Sequence, residues 1–276
     1  MLSGITATAL SRYQEATRQI EESMHRLASG KPGLDSHDQV RVSRTNNRIS
    51  TLKTANSIVK QNQDLLEAAL AGTKSVESIV VKMREVAYEA QDDQLTSAAR
   101  TALVDEYNNL AAEIDWTALN TEYDGTSLID GTFGTREVTI GGPKEDQNVD
   151  ISLGDLTLEG LQIGEYTDAN QNAVAGTSVS TEANAEAAII RLDAALVTLE
   201  AERSSTTAEI ERFDFTISHL TTMVRLNEET VETLMDLDEV AEMASLANYQ
   251  IQQQTAMALM AQAQQLSSSI LQLLGG

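Results

Sequence analysis

The sequence predicts a mainly α fold: an elongated rod of long antiparallel coiled-coil helices, a small β-hairpin element, and two terminal helices that pair as a coiled coil. Three observations carry this reading. Apolar residues recur at steps of three, four or seven over stretches of fifty residues. Aromatic residues make up only 4% of the 276-residue chain, with 3 Phe and 1 Trp, which favours helices packed through small and medium aliphatics over a ring-filled core. Nine of the 15 glycines, together with the alternating patterns, fall in one internal stretch, residues 123–180.

Taken in order, residues 1–29 read as a helix with Ile5, Leu10, Tyr13, Ile20, Met24 and Leu27 on one broad face. Gly30, Pro32 and Gly33 end it. A long helix follows over 42–91, with a stripe of Ile49, Leu52, Val59, Leu66, Ala69, Val76, Val80, Met83, Ala87 and Ala90. At 1.5 Å per residue it spans roughly 70 Å, more than a compact domain of this size accommodates. Asp92-Asp93 closes it, and Thr96 is placed to cap a third helix over 96–119 that carries Ala99, Leu103, Tyr107, Leu110 and Ile114.

Between 123 and 180 the period shortens to two, as in Val138-Thr139-Ile140 and Val149-Asp150-Ile151-Ser152-Leu153, and short hairpins are expected. Gly141-Gly142 before Pro143 reads as a turn. From 181 to 236 the heptads are unbroken. Positions 185, 189, 192, 196, 199, 203, 206, 210, 213, 217, 220, 224, 227, 231 and 234 alternate steps of four and three. Arg203, Thr206 and Asn227 interrupt this seam with polar groups suited to fixing register. The helix over 42–91 has a matching stripe, so an intramolecular antiparallel bundle is expected.

Charge is distributed unevenly. The net charge is −23, which disfavours nucleic acid and anionic membrane as partners. Yet no charged side chain occurs after Glu242, nor in the first 11 residues. Ala256, Leu259, Ala263, Leu266, Ile270 and Leu273 form a further heptad seam there, flanked by Gln, Ala and Ser. Heptads argue against a disordered tail. The absence of Lys and Arg argues against a membrane-surface helix. The remaining reading is a helix covered on all sides by copies of itself and of the N-terminal helix. A neutral face avoids stacking each charge on its own copy in such a heterologous, open assembly.

Several segments resemble the bacterial flagellin family. Arg26 with Leu27-Ala28-Ser29-Gly30 is similar to its "RLSSG" motif, and Leu34-Asp35-Ser36 with Asp38 stands in place of "INSAxDD". Val81-Lys82-Met83-Arg84-Glu85-Val86-Ala87 resembles "xRxRELA". Tyr123-Asp124-Gly125-Thr126-Ser127-Leu128 resembles the "FNGxxLL" turn with Tyr for Phe. Residues 258–266 and 270–274 resemble the C-terminal "MLAQANQ…VLxLL" pattern. Ser267-Ser268 replaces the usual Pro, and Leu234-Met235-Asp236-Leu237-Asp238 departs from the family's Arg-Ile-x-Asp-Ala-Asp.

The resemblance implies a minimal flagellin without large outer domains. Residues 1–41 and 240–276 would be polymer-core helices and 42–239 a rod domain. The polymer-core interface would fall on Ile5, Leu10, Tyr13, Ile20, Leu27, Ala256, Leu259, Ala263, Leu266, Ile270 and Leu273. It implies self-assembly into a helical tube for swimming motility, with further copies of the chain as the main partner. Export through the flagellar type III apparatus is implied as well, although the N-terminus has no secretory signal pattern and alone would suggest the cytoplasm. Implied further partners are an export chaperone on the C-terminal helix and hook-associated junction and cap proteins. An innate immune receptor would read Lys82, Arg84, Glu85 and Val86. The alternatives are a hook–filament junction protein of the same superfamily, or a coiled-coil type III secretion component.

Nothing in the sequence suggests an enzyme. His25, His37 and His219 are dispersed, Cys is absent, and no H-E-x-x-H pattern or phosphate-binding glycine loop occurs. Asp92-Asp93 and Glu228-Glu229 read as solvated helix-end charges. No cofactor or metal is expected.

Overall fold

The computed structural model describes residues 2–139, 148–167 and 173–274, with side chains described over 7–139, 148–165 and 174–266. Among these residues the order is α1 (Leu2–Ser29), α2 (Ser36–Glu89), α3 (Ser97–Asn120), six short strands, α4 (Glu182–Met235) and α5 (Glu239–Leu274). The strands are β1 (Glu122–Tyr123), β2 (Thr126–Ser127), β3 (Thr135–Thr139), β4 (Asn148–Ser152), β5 (Tyr166–Thr167) and β6 (Ala173–Val174). They pair antiparallel as three separate hairpins, β1-β2, β3-β4 and β5-β6. The fold is mainly α, as the periodicities require.

The helices begin where side chains satisfy their first amides. Asp35 Oδ1 accepts from Asp38 N at 2.7 Å, so α2 starts at Ser36, six residues ahead of the expected 42. Thr96 Oγ1 accepts from Ala99 N at 3.2 Å, the cap its position suggested. Thr181 and Asp238 do the same for α4 and α5. Gly30, at φ +64°, follows the last residue of α1 in the left-handed conformation that commonly terminates helices. At the other end of α2, Arg100 donates to the carbonyls of Ala90 (2.7 Å) and Asp92 (2.8 Å), covering groups the helix leaves unbonded.

Two compact units result, one of residues 1–48 with 226–276 and one of 49–225. In the second, α2, α3, α4 and the hairpins β1-β2 and β3-β4 share one core that includes Leu66, Met83, Tyr107, Ile114, Leu192, Leu199 and Phe213. All fifteen heptad positions foreseen in α4 are buried or half-buried, as are all ten of the α2 stripe. The first two hairpins close this core. Asp124 (φ 50°) and Gly125 (φ 70°) form the two-residue β1-β2 turn that an Asp-Gly pair favours. In β3-β4, Val138, Val149 and Ile151 turn inward, and Gly154 N donates to Glu202 of α4 at 2.8 Å. Ile140 and the Gly141-Gly142-Pro143 turn lie outside the described residues.

In the first unit α1 packs on α5. Contacts that climb one helix descend the other, from Arg26 and Ser23 at Glu242 to Thr17 at Gln253, so the pair is antiparallel.

Candidate assembly interface

The α1–α5 pair has an inner seam and an outer face, and the split follows residue size. On α1, Ala9, Tyr13, Ala16, Ile20, Ser23 and Leu27 step by four and three toward α5. On α5, Glu242, Leu246, Tyr249, Gln253, Ala256, Met260 and Ala263 step toward α1, and all are buried or half-buried. Ala9, Ala16, Ser23, Ala256 and Ala263 are buried at its centre. Such small side chains let two backbones approach closely, which larger residues at the same sites would prevent.

This arrangement corrects the seam expected on α5. Ala256 and Ala263 face α1, but the position between them is Met260, and Leu259 and Leu266 point outward at 38% and 58% exposure. A leucine seam would hold the helices apart. Once alanines take the centre, the flanking leucines are displaced to the rim. On α1, Tyr13, Ile20 and Leu27 face inward, whereas Leu10 stays exposed. The side chains of Ile5, Ile270 and Leu273 lie outside the described residues.

Over residues 7–11 and 243–266 the outer face carries no charged side chain and mixes apolar groups with neutral polar ones. Leu10, Met243, Ile251, Met257, Leu259 and Leu266 are all exposed, within stretches free of charged side chains. Isolated exposed leucines are ordinary; here several lie along one helix without charge around them. Where charge resumes, Glu242 accepts from Ser23 Oγ (2.5 Å), Arg26 Nε (3.0 Å) and Arg26 Nη2 (2.7 Å). Those hydrogen bonds, Arg26 first and then Ser23, hold the Glu242 carboxyl below the ordinary glutamate value.

A model of the bacterial flagellin N-terminal helical region matches residues 3–134, and one of the C-terminal helical region matches residues 189–274. The chain belongs to the flagellin family. Its relatives include flagellins of Listeria innocua and Listeria monocytogenes, each 27% identical over 98% of this chain and 96% of theirs. Flagellin FljM of Caulobacter vibrioides is 27% identical over 96% of this chain and 94% of its own. Among solved structures, a protein of Vibrio parahaemolyticus described as flagellar hook-associated superposes with a TM-score of 0.60. It is 12% identical, and the match covers 72% of this chain and 98% of that one, a likeness of fold alone. This flagellin is a structural subunit of the bacterial flagellar filament and self-assembles.

The residues expected at an immune-receptor face are divided by the fold of the flagellin. Lys82 and Glu85 are exposed on α2, and Arg84 is half-exposed with Nη1 2.9 Å from Asp193 Oδ1. Val86 is only 6% exposed, so it is not part of that surface. It falls on the inward stripe with Met83 and Ala87, one helical turn apart. Sequence reading also missed the cluster of Asp35, His37 and Asp38, whose potential ligand atoms lie within 4.8 Å of one another. Asp35 caps α2 there, which accounts for its position.

Proposed function

We propose that the outer faces of α1 and α5 are the surfaces through which copies of this flagellin join in the filament. The observation that supports this is the coincidence of exposed Leu10, Leu259 and Leu266 with the uncharged ends of a chain of net charge −23. Burying those faces removes apolar area from water, and their neutrality avoids like-charge contacts repeated at every subunit. In this reading residues 1–41 and 240–276 line the filament core, and Ile5, Tyr13, Ile20, Leu27, Ala256, Ala263, Ile270 and Leu273 belong to it as inner or outer contacts. Residues 42–239 form the surrounding rod layer.

The proposal extends to the life of the subunit. It is exported through the flagellar apparatus, acts outside the cell, and is held before export by a chaperone that covers α5. Junction and cap proteins bound the polymer at its two ends. Lys82, Arg84 and Glu85 remain the candidate face for an immune receptor.

Seeded polymerisation tests the central claim. Purified monomer is mixed with sheared filament fragments in salting-out salt and imaged by negative stain, beside Leu259→Glu/Leu266→Glu and a truncation after Glu242. Long tubes from the parent chain alone are expected. Tubes from the double variant would show that the outer face of α5 is not a subunit contact. Rings from the parent chain would point to the junction protein instead.

A further inference from the structure

The alanine seam between α1 and α5 has a weakness that its own regularity creates. Ala9 and Ala16 are one heptad apart, and so are Ala256 and Ala263. Sliding one helix by seven residues, about 10.5 Å, therefore keeps the alanine positions of both helices within the seam. No side chain in residues 1–11 or 243–276 carries a charge that could distinguish the two alignments. Thr17 and Gln253 share a 2.9 Å hydrogen bond, but it is neutral, and neutral hydrogen bonds are the weaker kind.

Only at the inner end does charge enter the seam. Glu242 is the last charged residue of the chain, and its side chain is 14% exposed against α1. Ser23 and Arg26 send three donors to one of its oxygens, and Ser23 is fully buried. Each charge also suits its own helix, since Arg26 lies in the last turn of α1 and Glu242 in the first turn of α5. The connector is drawn in as well: a Cβ on Gly33 would lie 3.2 Å from Arg26 Cδ, so the backbone after α1 rests on the arginine stem. A slip of one heptad toward the C-terminus would set Ser23 and Arg26 against the region of Tyr249, where no acid exists.

We infer that Ser23, Arg26 and Glu242 form a register latch that selects one alignment of the two terminal helices out of those the alanine seam permits. The alanines supply closeness, and the latch supplies the choice. Single polar contacts that fix register at some cost in stability are the best-attested use of a buried charge in paired helices. The latch acts within one chain, so it stands or falls independently of how copies assemble.

The chain has no cysteine, which makes the register directly measurable. Three double-cysteine versions of the full chain are compared as dilute monomer under mild oxidation. Thr17→Cys/Gln253→Cys reports the native register. Thr17→Cys/Met260→Cys and Thr17→Cys/Leu246→Cys report one-heptad slips. With the latch intact, the native pair alone should cross-link. Adding Glu242→Gln should raise a slipped product about tenfold, the weight of one charge-assisted contact. The exchange Arg26→Glu/Glu242→Arg should return most of the material to the native pair. Continued cross-linking of the native pair alone in Glu242→Gln would overturn the inference. So would loss of all three products, because register choice presupposes that the seam pairs without the latch.

Discussion

Arg84 on α2 donates to Asp193 on α4 at 2.9 Å, and this pair ends a ladder that repeats every seven or fourteen residues along α2. Asn56 meets Thr221 at 3.0 Å, Gln63 meets Asp214 at 2.8 Å, and Glu77 lies 3.6 Å from Arg203. Positions 56, 63, 77 and 84 flank the apolar stripe of α2, and their partners run backwards along α4, so the polar rungs and the buried seam impose the same antiparallel register. Arg203, which interrupts the heptads of α4, is one of the rungs. Thr206 is buried and returns its hydroxyl to Glu202 O at 2.9 Å within its own helix.

The ladder contributes alignment more than stability. Arg84 and Asp193 are each at least a third exposed, and exposed ion pairs contribute about 0.2–1 kcal/mol. Leu66 at the seam is fully buried, and truncating such a leucine costs about 2–5 kcal/mol. Urea unfolding should therefore show a small fall in midpoint for Arg84→Ala and a large one for Leu66→Ala, with similar slopes. Equal losses would mean that the rung is structurally dominant.

Gly72 presents a case where helix propensity and packing oppose each other. It sits within α2, where alanine would gain about 1 kcal/mol of helix propensity. An added Cβ would lie 2.6 Å from Thr121 Cγ2, 2.7 Å from Thr121 Oγ1 and 2.9 Å from Ile129 Cδ1. Overpacking of this kind costs about 1–3 kcal/mol, so Gly72→Ala should destabilise the unit of residues 49–225. A rise in its urea midpoint would show that Thr121 and Ile129 yield freely.

Much of this was legible because the helices are long enough for period to outweigh local composition. Seven heptads in α4 leave one face no alternative but the interior, and the cap at Thr96 and the turn at Asp124-Gly125 depend only on neighbouring residues. The outward turn of Leu259 was not legible. A leucine is the heavier apolar residue in a heptad count, and only the approach of α1 shows that alanine is preferred at the centre. Arg100, which covers the carbonyl end of α2, was equally hidden, since its role depends on the chain reversing over residues 90–96. The early start of α2 could have been read from Asp35, an N-cap residue placed three before Asp38.

Acid should loosen the latch. Arg26 and Ser23 hold the folded Glu242 carboxyl below its unfolded value near 4.5. A depressed carboxylate contributes its stability in full above the unfolded value, and that contribution is lost as pH falls through the folded one. Protection factors of the α1 and α5 amides, which correct for the intrinsic slowing of exchange in acid, should therefore fall below about pH 4.5 in the parent chain, and Glu242→Gln should remove that part of the dependence. An unchanged acid profile in the variant would mean that other carboxylates govern the pairing.

Glu209 should behave in the opposite sense. Its Oε2 is buried without a hydrogen-bond partner among the described residues, and desolvation, followed by the nearby charge of Glu202, raises its carboxyl above the ordinary value despite Arg212. The folded state thus holds this proton more tightly than the unfolded chain does, and stability falls as pH rises from about 4.5 through the folded value. Above that window the carboxylate is charged and poorly solvated, so replacing it with a neutral amide removes a penalty. Glu209→Gln should raise the urea midpoint at pH 7 and leave it nearly unchanged at pH 4. A variant less stable than the parent at pH 7 would show that the carboxylate is compensated by contacts stronger than Arg212 provides.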